Sequence, residues 1–241
     1  MKPLFVDTKV SPSSPGSRAH RVLWQVVACV LVSWAVHNMF LLRWEASHWR
    51  GAWAAMAPVA LRAAAWLVPA FVYLRHFDRR PLGNALGLTT RPDLARAWLW
   101  IGLPIVWILV VTVLQETNNE RAAAPILAWM AQGVAGGAWV SASLAVVLEE
   151  LLMRGFFLRQ LLRHVGPKAA IVSSSALFAA MHLPGWIAQT GTVDAGIIVS
   201  TVVLFVLALV LATVTWASES LWIAIALHAA NNLVAAWLGG S

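Results

Sequence analysis

Seven mostly apolar stretches alternate with short polar segments along the chain: Val22 to Leu42, Ala54 to Leu74, Ala97 to Leu114, Gly137 to Leu158, Ala169 to Ala188, Ala195 to Ala217 and Leu221 to Leu238. Each is close to the roughly 20 residues that an α-helix needs to cross the hydrocarbon core of a bilayer. Proline and glycine mark the gaps, as in Arg80-Pro81-Leu82-Gly83, Arg91-Pro92 and Gly166-Pro167, where a helix stops or restarts. The pattern predicts an all-α fold, a polytopic transmembrane helical bundle of about seven spans. It divides the chain into a polar tail (1–21), N-terminal transmembrane helices and loops (22–136) and a transmembrane core (137–241). The first apolar stretch exceeds the roughly 7–15 residues of a signal-peptide core, so it is read as a span.

Composition sharpens this picture. Of 241 residues, 60% are hydrophobic and 11% charged, with a mean hydropathy of +0.74, well away from the roughly one-quarter charged residues of soluble domains. A large soluble domain is excluded. The net charge of +7 would suit nucleic acid only if the basic residues shared one exposed face; here they flank apolar stretches and instead report topology. Twelve Lys and Arg fall in the segments on the side of the N-terminus, against Arg43, Arg50 and Arg121 on the other, so the N-terminus is expected to be cytoplasmic. Most of the fifteen tryptophans lie at stretch ends, among them Trp44, Trp98, Trp186 and Trp222, as interfacial belts do. Cys29 is the single cysteine, so neither an internal disulfide nor a cysteine-rich metal site can form.

The chemistry lies in polar residues inside the spans, where an ionisable group is costly and marks function by default. The fourth stretch contains Glu149-Glu150-Leu151-Leu152-Met153-Arg154. Residues four apart share a helix face, so Glu150 is expected to pair with Arg154 as scaffold. Glu149 points about 100° away, at ~3.6 residues per turn, and lacks that partner. An unpaired carboxylate in a low-dielectric site becomes a competent general base near neutral pH. The fifth stretch carries Phe178 and His182; the seventh carries His228, Asn231 and Asn232. His228 and Asn232, four apart on one face, form a donor pair of the kind that stabilises an oxyanion, and His182 could share a water with Glu149.

Other polar groups read as packing. His37 with Asn38 is expected to join helices by hydrogen bonding, and Ser173-Ser174-Ser175 to allow close approach. Gly133, Gly136 and Gly137 read as loop or packing glycines. Arg62, deep in the second stretch, either neutralises a glutamate or snorkels outward. A serine peptidase would want a Gly-x-Ser-x-Gly-like elbow, which is absent. Paired-aspartate chemistry needs two intramembrane aspartates, yet Asp7, Asp78, Asp93 and Asp194 lie in tails or loops.

Glu149-Glu150-x-x-x-Arg154, Phe178-x-x-x-His182 and His228-x-x-x-Asn232, in that order on three apolar stretches, resemble the motifs of the CAAX-protease and bacteriocin-processing (CPBP, or Abi) family of intramembrane proteases. Ser220 to Asn232 is similar to the family's final motif with its surroundings, and Gly83 to Leu88 is a weaker echo of the linker before its core. The resemblance implies that the residues matching Glu149 and His182 activate water, that those matching His228 and Asn232 stabilise the oxyanion, and that Glu150, Arg154, Phe178 and Asn231 support them. It implies a glutamic-type endopeptidase without a cofactor, acting on a protein or peptide substrate in the lipid bilayer of a bacterial inner membrane, with no nucleic-acid partner. The alternative is a zinc enzyme using Glu149, His182 and His228, although the His-Glu-x-x-His helix that supplies two histidines at once is absent.

Counting depth from the ends of the predicted spans, the site is expected to open toward the extracytoplasmic half, which suits trimming of an exported protein's anchor or C-terminal sorting tail. Nothing in the chain reads a prenyl group, so CAAX processing is not the first expectation. A non-enzymatic immunity or scaffold protein would retain the polar network for stability or partner binding. A proton-coupled transporter would show repeated halves with broken helices, and none is found.

Overall fold

The computed structural model describes residues 18–41, 48, 52–78, 80–91 and 138–239, and every regular element among them is helical. Helix α1 (Arg18–Val36) runs into a π-helical turn, His37–Leu41. Helix α2 (Ala52–Phe77) follows, then the short α3 (Leu82–Leu86). Helix α4 (Ala138–Glu150) passes directly into a π-helical stretch, Leu151–Leu158, and on into α5 (Arg159–His164). Helices α6 (Pro167–Thr190), α7 (Ala195–Ser218) and α8 (Leu221–Gly239) complete the bundle. The expected span Ala97 to Leu114, Gly133, Gly136 and Gly137, and the tail ahead of Arg18 lie outside the described residues.

Four segments, Arg18–Leu41, Ala57–Phe77, Pro167–Thr190 and Ala195–Ser218, are long and apolar enough to cross a membrane. The protein is an integral membrane protein. The count of about seven spans is met approximately: six of the seven stretches coincide with long helices, the fourth continuing through its π-helical stretch and, as α5, beyond Leu158 to His164. Helix α1 starts at Arg18 rather than Val22, so Arg18 and Arg21 belong to its first turns.

Apolar side chains divide into two sets. Leu23, Trp66, Leu74, Leu152, Phe156, Leu158 and Phe178 form the interior. Ile198, Val199, Val202 and Val203 on α7 face outward, each more than two-fifths exposed. In lipid this exposure costs nothing, because tails are as apolar as the side chains, and helices associate through packing and hydrogen bonds instead. Helix starts are locally specified: Pro167 opens α6, and Asp194 caps α7 by accepting from the Ile197 amide at 2.8 Å, relieving one of the unpaired donors of a helix N-terminus.

Two polar clamps fix the frame around the site. Asp78, buried just beyond α2, accepts from Arg80 Nε at 2.9 Å and NH2 at 2.7 Å, and from Arg163 NH1 on α5 at 2.9 Å. Burial alone would raise the Asp78 carboxyl, but the hydrogen bonds and charge of Arg80, joined by the charge of Arg163, hold it below the usual range. Two arginines that the charge count assigns to topology are therefore also structural partners. In the second clamp, Arg159 donates to the Glu219 carbonyl at 2.7 Å beneath Gly87, whose φ is 77°. A side chain at Gly87 would collide with the guanidinium, an added Cβ falling 1.9 Å from Arg159 NH2. Trp222 Nε1 donates to the Leu88 carbonyl at 2.8 Å. The α3 hook is thereby fastened to the turn between α7 and α8.

Candidate active site

The Glu149-Glu150 pair sits where α4 gives way to π-helical turns, a local widening that recurs at functional sites. Glu150 and Arg154 pair at 2.9 Å, with side chains 0% and 1% exposed. The guanidinium is held further by Ala208 of α7, whose carbonyl accepts from NH2 at 3.3 Å, and by the Phe178 ring, 4.5 Å from Cζ, a cation–π distance. A buried ion pair persists only when such additional partners offset its desolvation.

His228 on α8 reaches the same carboxylate. Its Nδ1 lies 2.7 Å from Glu150 Oε1, the oxygen that Arg154 already contacts. As the anionic partner of Arg154, Glu150 only accepts, so Nδ1 of His228 carries a hydrogen. This fixes the other ring nitrogen, Nε2, toward Glu149, whose Oε2 is 3.8 Å away. One imidazole thus stands between the two glutamates. Sequence reasoning assigned Glu150 to Arg154 alone and missed its contact with His228. No signal in the chain marks that contact, since the two residues are 78 positions apart.

His182 on α6 has its Nδ1 2.9 Å from the Phe178 carbonyl. A carbonyl cannot donate, so this nitrogen carries the N–H; in the neutral ring Nε2 is then the acceptor, the state needed to hold a water by its hydrogen. The Phe178 ring connects the two histidines, with centroids 5.0 Å from His182 and 5.6 Å from His228. Asn232 is exposed while His228 on the same helix is buried, and its Oδ1 accepts from Asn231 Nδ2 at 3.4 Å.

The arrangement offers a carboxylate (Glu149), a fixed imidazole beside it (His228), an acceptor nitrogen (His182) and an exposed amide (Asn232). Those parts suffice for water-based acid–base chemistry. Among the described residues no three His, Cys, Asp or Glu side chains gather as a metal cage. Arg62 sits against the first helix, its Cζ 4.5 Å from the Trp34 ring centroid.

Residues 104–234 match the family described as Type II CAAX prenyl endopeptidase Rce1-like. The match contains every site residue named above. No curated protein and no solved structure matches the chain.

Proposed function

Since the chain belongs to the Type II CAAX prenyl endopeptidase Rce1-like family, we propose that it is an intramembrane endopeptidase using water activated by Glu149, without a bound metal. The observation that carries the reading is His228 held between two carboxylates, 2.7 Å from Glu150 and 3.8 Å from Glu149. Glu149 takes a proton from a water that His182 Nε2 also holds. The oxygen attacks the scissile carbonyl, and the oxyanion is met by His228 Nε2–H and the Asn232 amide. Glu149 then returns its proton to the leaving amine as the C–N bond breaks, closing the proton balance.

With Nδ1–H given to Glu150, His228 can donate from Nε2 only as an imidazolium. The charges then sum to zero: Glu149 and Glu150 negative, Arg154 and His228 positive. Neutrality is what a low-dielectric site favours, and it supports this protonation state over one in which His228 is neutral and the Glu149 charge is left uncompensated.

The substrate class is a protein or peptide anchored at the membrane, cleaved near its anchor, in a bacterial inner membrane with the N-terminus cytoplasmic. His182 precedes the end of α6 at Thr190 by eight residues, about 12 Å at ~1.5 Å per residue, which supports a cavity opening to the extracytoplasmic half. The test compares protein termini by mass spectrometry in cells expressing wild type or Glu149→Gln, across membrane and secreted fractions. New termini confined to wild type are expected and identify the substrate. Matching profiles at equal expression and folding would sink the peptidase reading and favour an immunity or scaffold role.

A further inference from the structure

We propose that Trp34, on a helix outside the family-matched segment, is a positioning residue for His182. The role rests on the peptidase reading above. His182 occupies a weakened turn of α6: Pro184 lies inside the helix and removes the amide that the Ala180 carbonyl would otherwise receive. Trp34 of α1 and Asn38 of its π-helical extension, four apart, grip two residues of this turn, also four apart. Trp34 Nε1 donates to the carbonyl of Met181, the residue before His182. Asn38 donates from Nδ2 to the Trp34 carbonyl at 2.8 Å and rests its Oδ1 against Gly185, where an added Cβ would fall 2.9 Å away.

The Trp34 indole is itself held from several directions. Arg62 lies over it at 4.5 Å, His37 stacks on it with planes 8° apart, and Trp66 meets it edge-on with centroids 4.8 Å apart. Trp34 and Trp66 are buried, unlike the tryptophans of an interfacial belt. An anchored indole fixes the rotation of the 181–185 turn, and with it the direction in which His182 presents Nε2. Phe178 and Trp186 flank the imidazole, 5.0 and 5.7 Å from it, yet both belong to α6 and turn with it. Trp34 of α1, by its hydrogen bond to Met181, and Asn38 of the π-helical extension, by its contact with Gly185, hold that turn from outside α6.

Trp34→Phe removes the N–H and keeps a ring beneath Arg62. On purified protein cleaving an internally quenched peptide with a farnesylated cysteine near its C-terminus, kcat is expected to fall about tenfold, with KM and thermal midpoint essentially unchanged, because small misplacements of catalytic groups act on the chemical step. Independently of turnover, the His182 ring resonances in 15N-histidine-labelled protein, assigned with His182→Gln, are expected to move in Trp34→Phe. Gly185→Ala is expected to reproduce the loss, and Asn38→Ala to restore it in the double variant. Unmoved His182 resonances overturn the proposal, as does a kcat within about twofold of wild type. A fall in midpoint accompanied by a raised KM also overturns it, by assigning Trp34 to packing alone. If wild type does not cleave the peptide, that counts against the peptidase reading, and the resonances alone decide the role of Trp34.

Discussion

His228 Nδ1 stands 2.7 Å from Oε1 of Glu150, an oxygen that also accepts from Arg154 at 2.9 Å. Glu150 therefore orients the imidazole and, in the proposed mechanism, supplies the negative charge that an imidazolium needs. Glu150→Gln keeps an acceptor oxygen of the same shape and removes only that charge. Turnover is expected to fall about 10²-fold, the scale for losing an oxyanion donor, with KM little changed. Kinetics on the purified variant check this, and turnover within a few-fold of wild type would show that His228 works as a neutral ring.

Arg154→Met leaves the Glu150 carboxylate buried without its cation. Removing one partner of a buried pair costs about 3–5 kcal/mol, and the expected result is a large drop in thermal midpoint in detergent. The double variant Arg154→Met with Glu150→Gln is expected to regain much of that stability and none of the activity. If the two losses simply add, the pair is not coupled in the way its 2.9 Å contact implies.

Asp78 predicts a pH dependence of stability. Its folded-state carboxyl titrates below the ordinary value of 3.8, so the clamp contributes fully above that value and is lost as pH falls through the lower folded one. Asp78→Asn is expected to lower the midpoint at neutral pH and to flatten its decline below about pH 4. Unfolding scans on both proteins between pH 3 and 7, buffers permitting, decide it; parallel curves would remove Asp78 from the account.

Chelation separates the metal-free mechanism from the zinc alternative. Incubation with 1,10-phenanthroline followed by dialysis is expected to leave turnover unchanged. A loss reversed by added Zn²⁺ would instead require Glu149, His182 and His228 to converge on an ion.

Leu183→Cys, made in a Cys29→Ser background, reports which side reaches the site. Labelling by a membrane-impermeant maleimide from the extracytoplasmic face of oriented vesicles is the expected result. Labelling from the cytoplasmic face alone would reverse the proposed opening.

What the chain reveals in advance follows from the range of each interaction. The helices are legible because a span must be apolar over its whole length. The Glu150–Arg154 pair is legible because four residues of helix bring the partners together. The apposition of His228 to both glutamates is not, since helix packing sets it and the three motifs carry no statement of which side chains meet. Arg62 illustrates the same limit: its depth is readable, but its seat on Trp34 depends on how α1 and α2 cross. The π-helical turns from Leu151 to Leu158 have no local pattern distinguishing them from α-helix. Asp194 reads as a loop residue, though its place just before an apolar run is the position a capping side chain takes.

The Gly87–Arg159–Glu219 clamp bears on the order of biogenesis. Its three members come from the hook after α2, the segment after the π-helical stretch and the turn into α8, so it cannot close until the α7–α8 hairpin has been inserted. His228 arrives on that same hairpin. A nascent chain halted before α8 would carry Glu149 and His182 with no imidazole between the glutamates, and by the proposed mechanism would be inert while still emerging into the bilayer. In the proposed mechanism, hydrolytic competence therefore waits on the last helix.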